Sequence, residues 1–131
     1  MSKSILIVED DPFTQQFYNY LFTKTGYKIL ITENGDEIFE LLEKEEIALI
    51  ILDINLKNTY INNERVDGVQ ISRKIKKELN KSSIPILLIS AYQKKSGGRN
   101  YFEESLADDY ILKPIIDFNL FLKKVNQLME I

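Results

Sequence analysis

The feature of this sequence that most constrains its fold is a continuous apolar run over residues 48–53, which ends abruptly in the carboxylate of Asp53. Isoleucine and leucine without alternation suit a strand that is buried on both faces, as in the middle of a parallel sheet flanked by helices. Asp53 then lies at the carboxyl end of that strand. Open α/β sheets bind their ligands beyond these strand ends. The function therefore depends on which other side chains reach the same edge.

Composition excludes several kinds of site. The 131 residues predict a single domain, 1–131, with one core. The chain has no cysteine and no histidine, which excludes thiolate metal sites and removes the usual general base. Its net charge of -3 argues against nucleic-acid and membrane-surface binding. Because no signal peptide or membrane-spanning run is evident, we expect a cytoplasmic protein that works through carboxylates, hydroxyls and lysines.

Strand and helix patterns alternate five times along the chain. Short apolar runs predict strands at 4–8, 27–32, 48–53, 85–89 and 110–113. Helix patterns begin near Pro12, Gly35, Gly68, Asn100 and Phe118. In the first helix, the spacing predicts that Phe13, Phe17, Tyr20 and Leu21 are buried. This alternation predicts an α/β fold, a five-stranded parallel sheet with helices on both faces.

Polar side chains stand at the ends of four predicted strands. Glu9 and Asp10 follow the first strand, Asp53 ends the third, Ser90 follows the fourth and Lys113 ends the fifth. Clustered carboxylates repel one another, and a hard divalent cation held by oxygens relieves that repulsion. A hydroxyl and a lysine suit the oxygens of a phosphoryl group. The pattern therefore predicts phosphoryl transfer to a carboxylate nucleophile.

Each polar residue taken alone has a simpler explanation. Asp11, which precedes Pro12, is typical of a helix N-cap rather than a metal ligand. Ser90 could be any hydroxyl at a strand end, and Lys113 could be an ordinary solvated lysine. The functional interpretation depends on the combination, because four strand ends carry suitable groups in a consistent order.

The motifs that carry this combination resemble the receiver domain of two-component response regulators. They are Ile-Leu-Ile-Val-Glu-Asp-Asp at 5–11, Leu-Asp-Ile-Asn at 52–55, Ser-Ala at 90–91 and Asp-Asp-Tyr-Ile-Leu-Lys-Pro at 108–114. Their order matches that of the family, and they extend over essentially the whole chain. The resemblance implies a flavodoxin-like, doubly wound fold with strand order 2-1-3-4-5, similar to the single-domain chemotaxis regulators. It also implies a signalling switch controlled by phosphorylation.

The resemblance implies a role for each residue at the sheet edge. Asp53 would accept a phosphoryl group from a histidine kinase, a histidine phosphotransfer protein or a small acyl phosphate. Asp10, Asp53 and the backbone carbonyl of Asn55 would ligate Mg²⁺ or Mn²⁺, and Glu9 would act through water. Lys113 would pair with Asp53 or with the phosphoryl group.

Four residues would report or tune the phosphorylated state. Ser90 would bind a phosphoryl oxygen, and Tyr110 would turn inward as the aromatic switch residue. Asn55 and Tyr92 would flank the path of a hydrolytic water. Because a phenol at Tyr92 would hinder that water, we expect slow autodephosphorylation.

The same resemblance implies how the chain would signal. Phosphorylation would change the surface formed by the fourth helix, the fifth strand and the fifth helix, with Leu120 as a candidate contact for an unknown output protein. It also allows a homodimer that forms on phosphorylation. The chain would catalyse only its own phosphorylation and dephosphorylation, without direct contacts to nucleic acid or membrane.

Two alternatives use the same residues differently. A degenerate receiver would act as an unphosphorylated interaction module, but that hypothesis predicts the loss of Asp10, Asp53 or Lys113, and all are present. A small aspartyl-phosphate phosphatase similar to the haloacid dehalogenase group would carry its nucleophile on the first strand and a second aspartate two residues later. Here the nucleophile is on the third strand and position 55 is Asn55.

Four features bear on how closely the chain follows the family pattern. Lys57 replaces the usual proline, and residues 58–66 lengthen the next connection, where we expect a polar, mobile loop that modulates partner choice or phosphoryl lifetime. Leu106 stands where the family often has glycine, so we expect a different end to the fourth helix. Pro114 is expected to follow a cis bond, as is common in the family.

Overall fold

Five parallel strands form the central sheet of the computed structural model, which describes residues 3–78, 83–91 and 95–130. The strands are β1 (Ser4–Val8), β2 (Lys28–Thr32), β3 (Ile47–Asp53), β4 (Ile86–Ser90) and β5 (Asp109–Leu112). They lie in the order β2-β1-β3-β4-β5, and every adjacent pair is parallel. The predicted α/β fold and strand order are confirmed.

The middle strand β3 is buried on both faces. Leu49 and Ile51 contribute to one hydrophobic core, and Ile50 and Leu52 contribute to the other. None of these four side chains is more than 1% exposed. This double burial explains why the run does not alternate between apolar and polar residues.

Helices cover both faces of the sheet. They are α1 (Pro12–Thr23), α2 (Gly35–Lys44), α3 (Gly68–Glu78), α4 (Tyr101–Ser105) and α5 (Phe118–Met129). Buried residues of α1 and α5 join one core, whereas those of α2 and α3 join the other. Among the described residues, no helix combines the length and apolar character that a bilayer span requires.

The buried face of α1 differs from the predicted one. Tyr18, Leu21 and Phe22 are buried, whereas Phe13 is 81% exposed and Tyr20 is 65% exposed. The helix carries large apolar side chains on more than one face, so a period of 3.6 residues alone does not identify the face that meets the sheet. The prediction was therefore wrong for Phe13 and Tyr20.

Residues 54–66, which we call the hairpin segment, are folded rather than a simple polar loop. Tyr60–Ile61 pairs antiparallel with Glu64–Arg65, and Asn62 and Asn63 form the turn with φ angles of 50° and 66°. Asparagine tolerates this left-handed conformation better than most residues. Three side chains of the segment are buried: Ile54, Leu56 and Thr59. Within residues 58–66, where we expected a polar loop, the chain forms a hairpin and buries Thr59. The expected mobility of this stretch and its effect on partner choice or phosphoryl lifetime stay predictions.

The hairpin segment packs against the start of α2. The backbone N–H of Asn62 donates to Asp36 Oδ1 at 3.1 Å. A Cβ on Gly35 would lie 2.4 Å from the backbone oxygen of Tyr60 and 2.6 Å from Ile61 Cγ1. Only glycine at position 35 therefore allows this approach.

The sequence analysis gave two expectations for the backbone near the carboxyl end of the chain, one at Pro114 and one at the end of α4. The Lys113–Pro114 peptide bond is cis, as expected. Leu106 ends α4 with a φ of 62°, the left-handed conformation that usually favours glycine at a helix end. The chain thus takes the path that glycine favours at this position although the residue is leucine, so the structure does not show the different helix end that we expected.

Gly68 generates a prediction about the strand end. A Cβ at this position would lie 2.2 Å from the backbone oxygen of Asp53 and 2.7 Å from Ile54 Cα. Because backbone atoms cannot move aside cheaply, Gly68→Ala is expected to lower the free energy of unfolding by roughly 2 to 4 kcal/mol in urea titrations. Gly26→Ala is the control: Gly26 has a φ of 82° with no atom within 4 Å of an added Cβ. That variant should lose only about 1 kcal/mol, and equal losses would contradict the steric argument.

Candidate functional site

Three carboxylates and one ammonium group meet at the carboxyl edge of the sheet. One carboxylate oxygen from each of Glu9, Asp10 and Asp53 lies within 4.8 Å of the others. Lys113 Nζ lies 2.7 Å from Asp53 Oδ2 and 3.9 Å from Glu9 Oε1. The structure therefore brings together four of the residues that the sequence places at strand ends.

The register of the sheet explains this convergence. Val8, the last residue of β1, pairs with Leu52, which immediately precedes Asp53. Residues after β1 thus emerge beside the end of β3. Lys113 follows β5, and its backbone N–H donates to the carbonyl of Ser90 at 2.7 Å. That bond continues the pairing of β4 and β5 up to the level of the carboxylates.

Asp53 is held from two sides. Its Oδ2 accepts a hydrogen bond from the Lys113 ammonium, and its Oδ1 accepts the backbone N–H of Asn55 at 2.9 Å. The Asp53 side chain is only 3% exposed. It is one of the residues that line a cleft of about 400 Å³, which is open to solvent, and Asp10 and Lys57 also line this cleft. A reactant must therefore enter this cleft to reach the carboxylate.

Glu9 is the most perturbed acid of the cluster. Its side chain is 1% exposed, and its Oε2 accepts the backbone N–H of Asp11 at 3.0 Å. Its Oε1 is buried and accepts no hydrogen bond from the residues that the structure describes. Burial first, and then the nearby charge of Asp53, raise the pKa of Glu9 to about 7. This carboxyl group therefore holds a proton readily when no cation stands beside it.

Asp10 is held by backbone groups of the hairpin segment. Its Oδ2 accepts the backbone N–H of Lys57 at 2.6 Å and that of Asn58 at 2.9 Å. The sequence analysis missed these contacts because backbone amides carry no side-chain signal. The length of the connection between β3 and α3 was the only available sign that this segment reaches the site.

The donor set fits a hard divalent cation. Carboxylate oxygens are the protein ligands that Mg²⁺ prefers. The Oε1 atom of Glu9, buried without a hydrogen-bond donor among the described residues, is an oxygen that a metal-bound water would satisfy. Glu9, Asp10 and Asp53 could therefore hold a metal ion between them.

Ser90 and Tyr110 occupy the neighbouring strands. Ser90 is fully buried at the end of β4 and pairs with Leu112 of β5. Tyr110 lies earlier on β5 and is half-buried, with its ring packed edge-on against Phe102 at a centroid distance of 6.2 Å. The structure thus places Ser90 and Tyr110 on the adjacent strands β4 and β5. Neither residue belongs to the cluster that Glu9, Asp10, Asp53 and Lys113 form.

Of the remaining candidate residues, Asn55 lies in the wall of the cleft and Asp11 lies at the start of α1. Asn55 lines the cleft, and its Oδ1 accepts the backbone N–H of Ala91 at 3.0 Å. Asp11 caps α1, as expected, by accepting hydrogen bonds from the backbone and hydroxyl of Thr14, which lower its pKa. Tyr92 lies outside the described residues, so its influence on phosphoryl lifetime stays a prediction.

Comparisons with known proteins support a single family. The family model of the response regulator receiver domain matches residues 5–126. The TorCAD operon transcriptional regulatory protein TorR of Escherichia coli (strain K12) is 30% identical over 131 residues, which is 100% of this chain and 52% of TorR. The chain therefore spans about half the length of this curated relative.

Two solved structures share the fold. The signal receiver domain of a signal transduction histidine kinase from Syntrophus aciditrophicus has a TM-score of 0.82 at 26% identity, covering 98% of this chain and 91% of that one. The response regulator protein TrrA from Thermotoga maritima, in complex with Mg(2+)-BeF, has a TM-score of 0.76 at 28% identity. That similarity covers 96% of this chain and 98% of TrrA.

The raised pKa of Glu9 predicts how stability depends on pH. The folded pKa of about 7 exceeds the ordinary value of 4.5, so the protonated carboxyl contributes stability below pH 4.5 that is lost as pH rises through 7. In the absence of divalent cations, the free energy of unfolding should fall by roughly 1 to 3 kcal/mol between pH 5 and pH 8 because of this group. Glu9→Gln should remove that part of the pH dependence in urea titrations. An identical pH profile in the two proteins would contradict the assignment.

Proposed function

Because the chain belongs to the response regulator receiver family, we propose that it is a phosphorylation-dependent switch of a two-component phosphorelay, with Asp53 as the phosphoacceptor. The observation that carries the proposal is the placement of the Asp53 carboxylate. It lies 2.7 Å from the Lys113 ammonium and in a cluster with Glu9 and Asp10 that could hold a divalent cation. The Lys113 ammonium, together with a divalent cation when one is bound, would suit a carboxylate that gains a dianionic phosphoryl group.

In the proposed reaction, an oxygen of Asp53 attacks the phosphorus atom of a phosphohistidine on a histidine kinase or phosphotransfer protein. A P–O bond forms, the P–N bond breaks and the imidazole nitrogen keeps the electron pair. A small acyl phosphate would donate in the same way, with its carboxylate as the leaving group. Because Asp53 is buried in the lining of the cleft, the site favours donors that project a phosphoryl group inward.

The charged residues around Asp53 would stabilise the added phosphoryl group. Mg²⁺ or Mn²⁺, when bound, would neutralise charge on the phosphoryl oxygens. We assign its protein ligands to Asp10, Asp53 and the backbone carbonyl of Asn55, with Glu9 acting through water. Lys113 is already within hydrogen-bond distance of Asp53 and would stabilise the negative charge that phosphorylation adds. The complex of TrrA with Mg(2+)-BeF, at 28% identity, supports a metal-dependent site.

The proposed output is a population shift between two arrangements of the surface that α4, β5 and α5 form. Ser90 would bind a phosphoryl oxygen, and Tyr110 would turn inward in response. The coupling would be on the order of 1 to 3 kcal/mol if typical of allosteric proteins. Leu112 and Leu120, which are 44% and 49% exposed, are suitable contacts for an output protein or for a second phosphorylated copy.

The proposal includes no turnover of another substrate. The chain would catalyse only its own phosphorylation and dephosphorylation, in the cytoplasm, where histidine kinases present their phosphohistidine. Asn55 and Tyr92 would tune the lifetime of the phosphoryl group.

An apolar groove beside the cleft suits the docking of the phosphoryl donor. It has a volume of about 490 Å³, and Phe13, Phe17, Ala91 and Ile115 are among the residues that line it, next to Lys113. Phe13 is 81% exposed although it is large and apolar. Exposed apolar surface beside the cleft that contains Asp53 suits a protein partner more than a small molecule.

Phosphorylation of Asp53 is tested by intact mass after incubation with acetyl phosphate. With Mg²⁺ present, the unaltered chain should gain one phosphoryl group, and omission of Mg²⁺ or the substitution Asp53→Asn should abolish the gain. Asp117→Asn is a matched control, since Asp117 caps α5 away from the cluster and asparagine also caps helices. A phosphoryl group on Asp53→Asn, or none on the unaltered chain, would refute the proposal.

The docking groove predicts a difference between donors. Phe13→Ala should slow phosphoryl transfer from a histidine phosphotransfer protein by about tenfold, because it removes contact area on that partner. Transfer from acetyl phosphate should not change. Tyr20→Ala is the control, since Tyr20 is an exposed aromatic residue of the same helix that does not line the groove. Equal effects of the two substitutions on the protein donor would argue against docking at Phe13.

A further inference from the structure

A second groove lies on the other side of the hairpin segment, between that segment and α3. Its volume is about 440 Å³, and its walls include Ile61, Glu64 and Val66 from the hairpin segment. Arg73, Lys74 and Lys77 of α3 form the facing wall. None of the residues that line this groove lines the phosphorylation cleft. It is therefore a separate surface, built by the part of the chain where the connection between β3 and α3 is extended.

The hairpin wall of this groove is preformed. The backbone N–H of Val66 donates to the carbonyl of Thr59 at 2.9 Å, and that of Asn62 donates to Asp36 at 3.1 Å. The close packing of Tyr60 and Ile61 on Gly35 leaves no space for a side chain there. A ligand in the groove therefore would not need to order this wall, which lowers the entropic cost of binding.

The α3 wall is cationic, against the overall charge of the protein. The chain has a net charge of -3, yet α3 carries Arg73, Lys74, Lys76 and Lys77. Lys76 is used internally, because its ammonium pairs with Asp108 at 2.7 Å. The other three line the groove. Arg73 also donates a hydrogen bond to the carbonyl of Glu104 at 3.0 Å, and the Lys74 ammonium lies 5.9 Å from the ring centroid of Phe39. Lys77 is exposed to solvent. A local concentration of positive charge on an acidic protein attracts an anionic partner.

The groove combines this charge with apolar surface. Ile61 and Val66 are half-buried and pack against the core that contains Ile50 and Leu52. Their outer surfaces form an apolar wall of the groove. The carboxylate of Glu64 stands at the same wall. A continuous chain of phosphates would meet that carboxylate and gain little from the apolar side chains. An acidic peptide satisfies both walls, since carboxylates reach α3 while an apolar side chain covers Ile61 and Val66.

We propose that the groove between the hairpin segment and α3 binds a short acidic segment of a partner protein, in which Asp or Glu alternates with a branched apolar residue. The volume suits a few side chains rather than a folded surface. Solvated ion pairs contribute little individually, so the dissociation constant should be on the order of 10⁻⁵ to 10⁻⁴ M at low salt. This interaction does not require phosphorylation of Asp53.

The probe for this interaction is a fluorescein-labelled peptide library in which Asp or Glu alternates with Leu, measured by fluorescence polarisation. A matched library carries Lys in place of the acids, and a labelled DNA duplex represents polyphosphates. Acidic peptides should bind the unaltered chain and Asp53→Asn equally, and a rise in salt should weaken that binding. Binding of the lysine library, binding of the duplex in preference to peptide, or binding of no probe would overturn the proposal.

Two substitutions locate the binding site. Lys77→Gln should weaken peptide binding about fivefold or more, whereas Lys123→Gln, at an exposed lysine of α5, should leave it unchanged. Gly35→Ala keeps every charge of the groove, but its added methyl group would displace Tyr60 and Ile61 of the hairpin segment. This substitution should therefore weaken peptide binding as well. Equal affinities of Lys77→Gln and Lys123→Gln would overturn the assignment, whether or not Gly35→Ala folds. Concentration-dependent self-association that Lys77→Gln abolishes would instead identify a second copy as the occupant and would also overturn it.

The outcome is separable from the phosphorylation chemistry. Lys77 lies outside the cleft, so Lys77→Gln should accept a phosphoryl group from acetyl phosphate as fast as the unaltered chain does. A failure of peptide binding with normal phosphorylation would reject the groove alone.

Discussion

The repulsion among three carboxylates at one edge of the sheet is the constraint on which the rest of the site depends. Glu9, Asp10 and Asp53 offer oxygens within 4.8 Å of one another, and two of these side chains are almost fully buried. Like charges this close, with little water between them, require either a proton or a cation. The parallel register of β1 and β3 makes the approach unavoidable, because residues that follow β1 emerge beside Asp53.

Three sources of positive charge can relieve this repulsion, and they differ in how easily they change. Lys113 supplies positive charge from within the chain, with its Nζ 2.7 Å from Asp53 Oδ2. The proton on Glu9, whose pKa burial raises to about 7, is exchangeable near neutral pH. A divalent cation would replace that proton, since a metal favours the ionised form of its ligands. In this account, an already acidic site can accept a phosphoryl group because a bound divalent cation would add positive charge to that of Lys113.

The parts of the fold that could be predicted are those that local pattern decides. Burial of β3 on both faces follows from its unbroken apolar run, and the strand order follows from the resemblance of the motifs. The convergence of Glu9, Asp53 and Lys113 follows from parallel strands that end at one edge. The buried face of α1 could not be predicted, because aromatic side chains such as Phe13 and Tyr18 lie on different sides of one helix and only the packed sheet selects between them.

The hairpin within residues 58–66, where we expected a polar loop, is the larger difference from the sequence analysis, and its cause is also physical. Polar residues dominate the segment, so its composition indicates a loop, whereas its few apolar side chains and the space above Gly35 decide its path. The backbone amides that hold Asp10 have no counterpart in side-chain sequence. Contacts of this kind depend on where the chain is placed rather than on which residues it contains.

The central claim is that the carboxylate cluster is a cation site, and calorimetric titration with Mg²⁺ at pH 8 tests it most directly. Asp10→Asn removes one charge from the cluster, and Asp11→Asn removes one charge from the adjacent helix cap while keeping the cap. The account predicts that Asp10→Asn weakens Mg²⁺ binding by about tenfold or more and that Asp11→Asn changes it by less than about threefold. Equal Mg²⁺ affinities of the unaltered chain and Asp10→Asn would contradict the account.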